Sequence, residues 1–283
     1  MTKQFSLAHL TVLDCTPAEM TYIAARAGYD FVSIRPIGLG TVNEPQYPLA
    51  ENKAMLRDTK AALNETGLKL LDIEMARIYD GVDLKTYLPA FEVAAELGGR
   101  HVLTTVQTDN RNFAIEAFAE LCELAKPFGL TIDLEFITWY HVSTFKEASD
   151  IVRAAKCANG GILVDTLHFN RSKVQLGELD TVPQEWFHYA HVCDAPKEIP
   201  TTKEGLIHTA REERLYVGEG SINIALILNR MPEIPYSLEI PHAKRAQELG
   251  YEELAKRCLQ NAKSYLDAHP RELYSSETGV KSV

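Results

Sequence analysis

The sequence contains no run approaching the ~18 consecutive apolar residues that a membrane-spanning helix requires. Its first apolar stretch, Phe5 to Leu13, is short and interrupted by His9, so it does not read as a signal peptide either. Cysteine is scarce: Cys15, Cys122, Cys157, Cys193 and Cys258 are odd in number, scattered and free of any CxxC pair. This pattern argues against a thiolate metal cage and predicts a reducing, cytoplasmic setting. Positive charge is also in deficit, with 29 Lys and Arg against 39 Asp and Glu and a net charge of −10. Such a balance repels phosphate backbones and anionic lipid headgroups at long range, which disfavours nucleic acid and membranes as partners. A glycine-rich dinucleotide fingerprint is missing as well, since LTVLDCTP stands where that loop would follow the first strand.

What is present is a repeat. A short β-rich apolar run, a polar loop and an amphipathic segment closed by glycine recur along the 283 residues. Eight such runs begin near Phe5, Asp30, Leu68, His101, Leu130, Gly161, Phe187 and Pro235. Helix starts are marked by two capping boxes, Thr16 to Glu19 with Pro17 at the first helical position, and Thr144 to Glu147. Gly28, Gly67, Gly98 and Gly129 each fall where a helix should stop. Mostly continuous apolar strands alternating with helices indicate a parallel sheet, and eight units close most economically into an α/β fold of the (β/α)₈ TIM-barrel type. We assign residues 1–268 to a single barrel domain and 269–283 to a polar tail, either free or a contact arm in a homo-oligomer. The long connection from Asp194 to Gly218 reads as a lid or binding loop.

In such a barrel the active site forms at the C-terminal ends of the strands. Strand five ends IDLEF with Glu135, strand six ILVDT with Asp165, strand seven HYAHV with His191 and strand eight YSLEI with Glu239. Any one of these reads equally well as a hydrogen-bonded residue of the barrel lining. Together, three carboxylates and an imidazole at one mouth would repel one another without a cation. An oxygen-rich set with one nitrogen suits Mn²⁺, Mg²⁺ or Co²⁺, and Zn²⁺ is compatible with it. Around them stand His168, three residues after Asp165, and Arg214, ahead of YVGEGSI. His9 within strand one, Arg35 ending strand two, Arg77 following strand three and Trp139 following strand five are further candidates to line a small-molecule pocket. Each of these four is individually a weak signal.

The strand-five LEF, the strand-six VDTLH, the strand-seven HVCD, the strand-eight SLEI and the GEGSI turn resemble the xylose-isomerase-like TIM-barrel superfamily of sugar isomerases and epimerases, over residues 5–266. The resemblance implies one divalent cation on Glu135, Asp165, His191 and Glu239. It also implies that Glu135 and Glu239 serve as acid/base groups, with His168 and Arg214 in substrate contact. The expected chemistry is isomerisation or epimerisation of a keto-sugar or polyol-derived ketone through an enediolate. Within the superfamily, LEFITWYHVSTFKEASDIVRAA, GILVDTLHF and the DAP after strand seven are also similar to bacterial 3-dehydroshikimate dehydratases. That likeness makes Arg77 a carboxylate anchor and His168 an acid for the leaving hydroxyl. DIEMAR on strand three and His9 on strand one depart from the dehydratase pattern. The apurinic endonucleases of the superfamily use three zinc ions and further histidines, which are absent from the matching strand ends. A barrel retained only as a binding or structural subunit would show damaged ligands, and all four are intact.

Overall fold

The computed structural model describes residues 3–39 and 44–271. Eight strands and nine α-helices follow one another in it: β1 (Phe5–Ala8), α1 (Pro17–Ala27), β2 (Phe31–Ile34), α2 (Lys53–Thr66), β3 (Lys69–Ile78), α3 (Leu88–Glu96), β4 (His101–Val106), α4 (Arg111–Ala125), β5 (Thr131–Glu135), α5 (Phe145–Ala155), β6 (Gly160–Asp165), α6 (Thr166–Arg171), β7 (Ala190–Val192), α7 (Lys203–Glu212), α8 (Ile224–Asn229), β8 (Tyr236–Leu238) and α9 (Ala243–Ala268). The strands pair in sequence order, all parallel, and β8 closes on β1 with Ser237 opposite Ser6. Closure removes both sheet edges, so backbone pairing continues around the ring.

Local chemistry accounts for the elements. Both capping boxes form: the Thr16 and Thr144 side chains accept from the amides of Glu19 and Glu147, whose carboxylates reach back to the cap backbones. All four helix-ending glycines take positive φ. The main core lies between strands and helices, where Phe91, Phe118, Phe136 and Phe145 are fully buried. A second cluster, including Leu71, Leu103, Leu163 and Tyr189, fills the ring itself.

Several expected boundaries move. β1 ends at Ala8, and His9–Val12 is a 3₁₀ turn, so His9 lies beyond the strand rather than within it. β3 runs on to Ile78 across a register shift with β4, which places Arg77 inside the strand instead of after it. β7 begins at Ala190 rather than Phe187, and the long connection after it contains α7. The expected tail falls beyond Arg271, outside the described residues, except for its first positions. No helix among the described residues is long and apolar enough to cross a membrane.

Candidate active site

Glu135 and Asp165 are the last residues of β5 and β6, His191 is the middle residue of β7, and Glu239 follows β8 directly. Parallel pairing, with Asp165 opposite His191, delivers them to one mouth of the barrel. Ligating atoms of Glu135, Asp165 and His191 lie within 4.8 Å of one another. Glu239 joins the group through the imidazole: its Oε2 is 3.5 Å from His191 Nδ1, and Glu135 Oε1 is 3.8 Å from the same nitrogen. All four residues are buried, yet neither ring nitrogen of His191 has a hydrogen-bond partner among the described residues. An orphaned imidazole ringed by carboxylates fits a divalent cation, because buried polar atoms normally find a partner.

The protein itself supplies one cation here. The Arg214 guanidinium, fully buried, sits between two of the carboxylates, with Nη1 2.6 Å from Asp165 Oδ2 and Nη2 2.8 Å from Glu239 Oε2. The environments of the two glutamates then diverge. Burial, reinforced by Asp165 and Glu239, pushes Glu135 well above the carboxylate range. For Glu239 burial acts in the same direction but is outweighed by Arg214 and His191, which hold it well below that range. His191 would be lowered by burial alone, and Glu239 followed by Glu135 raises it to about 10.

Arg214 is held by its backbone as well as its charges. Its N–H donates to Pro241, and Leu215 pairs with Asp194 in an antiparallel bridge. Asp194, the aspartate of HVCD, spends its carboxylate on the following turn: Oδ2 accepts from the amides of Gly218 and Gly220, and Oδ1 from Ala195 and Ile222. A Cβ at Gly220 would collide with the Ala195 carbonyl and the Asp194 carboxylate. Gly220→Ala is therefore expected to destabilise the protein by about 2 kcal/mol, the scale of a clash that rigid backbone cannot relieve. A urea midpoint within error of the parent protein would contradict this.

Above the carboxylates lies a small cavity of about 50 Å³, lined on its apolar side by Leu10, Met75, Leu103, Ile137 and Trp139, and on its polar side by Glu135, His168, Arg211, Arg214 and Glu239. His168 Nδ1 meets the Thr138 hydroxyl at 3.1 Å, leaving Nε2 as the nitrogen available to a ligand. The Trp139 ring packs edge-on against it at 5.1 Å. Burial lowers His168 to about 4, so the ring is neutral at neutral pH.

The remaining candidates differ in their placement. His9 is occupied on both sides: Nδ1 accepts the Arg35 amide, Nε2 meets the Cys15 carbonyl at 2.8 Å, and its ring stacks on Tyr47. It follows β1 directly and lies outside the residues lining the cavity. Arg35 reaches the cavity, but its guanidinium is engaged by Glu74 at 2.8 Å and Glu44 at 3.2 Å. Arg77 borders a separate depression with Pro48, Glu51 and Tyr79. The longer β3 accounts for its different position.

A family model described as xylose isomerase-like TIM barrel matches residues 22–261. The chain belongs to that family. An inosose isomerase from Bacillus velezensis is 23% identical over 87% of this chain and 89% of its own length. A 3-dehydroshikimate dehydratase from Pseudomonas aeruginosa is 25% identical over 78% of this chain, but the match spans only 35% of that protein. Among solved structures, the IOLI protein with a bound zinc atom superposes with a TM-score of 0.79 at 18% identity, covering 95% of this chain and 100% of that one.

Two charged residues near the mouth of this xylose isomerase-like barrel, Glu74 and Arg211, do not stand at strand ends. Glu74 sits in mid-strand, fully buried, and its pKa is raised because burial outweighs the Arg35 charge. The signal was DIEMAR itself, in which Asp72 and Glu74 two residues apart interrupt an apolar run and so share one side of the strand. Arg211 comes from α7, and nothing local marks that helix as covering the mouth.

Proposed function

We propose that this chain is a divalent-metal-dependent isomerase or epimerase of a keto-sugar or polyol-derived ketone. The observation that carries the reading is the placement of Glu135 and Glu239, which line the same cavity from strands three places apart in an eight-strand ring. A ligand between them is flanked on two sides by carboxyl groups. The inosose isomerase relative, aligned over most of both chains, supports the same reaction class.

Glu135, Asp165, His191 and Glu239 would hold the cation, and when bound it supplies Lewis-acid polarisation of a substrate carbonyl. The remaining work is done by side chains of the chain itself. Glu135, with its high proton affinity, is suited to carry a proton to or from the carbon beside the carbonyl. Glu239, kept anionic by Arg214, faces the ligand from the other wall, and two carboxyls with such different environments divide acid and base roles. Neutral His168 donates a hydrogen bond to a hydroxyl through Nε2, a role that needs no imidazolium. Trp139, Leu10 and Met75 keep the apolar side of the cavity dry.

A dehydratase reading has the Pseudomonas relative in its favour. Its carboxylate anchor, Arg77, borders a different depression, and the neutral state of His168 suits hydrogen bonding better than delivery of a proton to a leaving hydroxyl. One experiment separates the two. Metal-reconstituted protein is mixed in D₂O with a panel of ketoses, keto-inositols and 3-dehydroshikimate and followed by NMR. Deuterium entering a ketose or keto-inositol beside its carbonyl is the expected result. Protocatechuate absorbance from 3-dehydroshikimate, without exchange into any sugar, would replace the isomerase reading with the dehydratase one.

A further inference from the structure

The opposite mouth of the barrel carries a second constellation of ligand-type side chains. His101 opens β4 and His188 lies two residues ahead of β7, at the N-terminal entry to those strands, and Asp133, the middle residue of β5, reaches them from within the ring. The catalytic candidates occupy the other end, and the buried Tyr189 stands between the two groups, its ring 5.2 Å from that of His101 and 5.8 Å from that of His191. Ligating atoms of His101, Asp133 and His188 all fall within 4.8 Å of one another.

Their arrangement converges on one carboxylate. His188 Nδ1 is 2.6 Å from Asp133 Oδ1; His101 Nδ1 is 3.8 Å from Oδ2 and linked to it through the Thr131 hydroxyl, which it meets at 2.7 Å and which donates to Oδ2 at 2.6 Å. The two imidazoles lie nearly parallel, 13° apart with centroids 5.4 Å distant. Room for this group is provided by Gly161 on β6. A Cβ there would stand 2.5 Å from Asp133 Oδ1 and 2.6 Å from His188 Nδ1. Asp133 is buried, while His101 and His188 border a depression of about 490 Å³ that opens to solvent beside Glu185 and Arg100. An ion can therefore reach the histidines from outside without passing through the active site.

We propose that His101, Asp133 and His188 form a second metal site, selective for a borderline transition ion such as Zn²⁺, at the face opposite the catalytic mouth. Two imidazole nitrogens and one carboxylate oxygen suit Zn²⁺ or Co²⁺ and do not suit Mg²⁺ or Ca²⁺, which require more oxygen donors. Three protein ligands leave one position for water. A bound ion would replace the His188–Asp133 contact and the hydrogen bond from His101 Nδ1 to the Thr131 hydroxyl, and would tie β4, β5 and the approach to β7 together.

The test is zinc stoichiometry on the full chain after chelator treatment, by titration calorimetry and elemental analysis. The parent protein is expected to bind two equivalents. The double variant His101→Gln and His188→Gln should bind one while keeping its isomerase activity, and Asp165→Asn with Glu239→Gln should lose the other equivalent. One equivalent in the parent, abolished by the Asp165 and Glu239 changes, would overturn the second site and leave the catalytic one standing. One equivalent abolished by the histidine changes would do the reverse. Because the histidines also brace the strands, crystals of the parent soaked in zinc provide a readout independent of any variant. An anomalous peak among His101, Asp133 and His188 supports the site, and a peak only at the catalytic mouth refutes it.

Discussion

Glu135→Gln is expected to slow deuterium exchange at the substrate carbon on the order of 10³-fold, the scale of a positioned acid/base group, while metal affinity falls far less. Glutamine keeps an oxygen at the end of β5 and nearly the same volume, so a donor atom survives. What it removes is the ability to take up and release a proton. Glu135 is the group in which that loss should be greatest, because burial gives its carboxyl the high proton affinity that a carrier requires. Parallel measurement of exchange by NMR and zinc or manganese binding by calorimetry decides the matter. If both quantities drop by the same factor, Glu135 is a ligand and nothing more.

Arg214→Met is expected to destabilise the metal-free protein by about 4 kcal/mol, since removing one partner of a buried ion pair strands the other. Here two partners are stranded. Asp165 and Glu239 are both buried and both rest on the same guanidinium, at 2.6 and 2.8 Å. With roughly 2–4 °C of melting temperature per kcal/mol in a chain of this size, the metal-free variant should melt on the order of 10 °C lower. Added divalent cation should recover more stability in the variant than in the parent, because positive charge among these carboxylates is what the substitution took away. Equal melting temperatures for parent and variant without metal would show that Arg214 is not the counter-charge holding this mouth together.

The eight βα units, the capping boxes at Thr16 and Thr144 and the strand-end positions of Glu135, Asp165, His191 and Glu239 could be read from the chain alone. Each depends on residues within a few positions of one another: apolar period, a cap three residues from its partner, a polar group where an apolar run stops. Parallel closure then makes strand ends neighbours, so the likelihood that these four share a mouth was present in the alternation itself. How each side chain is spent was decided only in three dimensions. His9 is turned onto the backbone of Cys15 and Arg35, Arg35 is drawn to Glu74 and Glu44, and Asp194 is consumed in fixing a turn. The pairing of Arg214 with Asp165 and Glu239 spans 49 and 25 residues, and the meeting of His188 with Asp133 spans 55. No local pattern encodes such contacts, because they depend on the ring closing in one register, on where β3 shifts against β4, and on α7 folding back over the mouth.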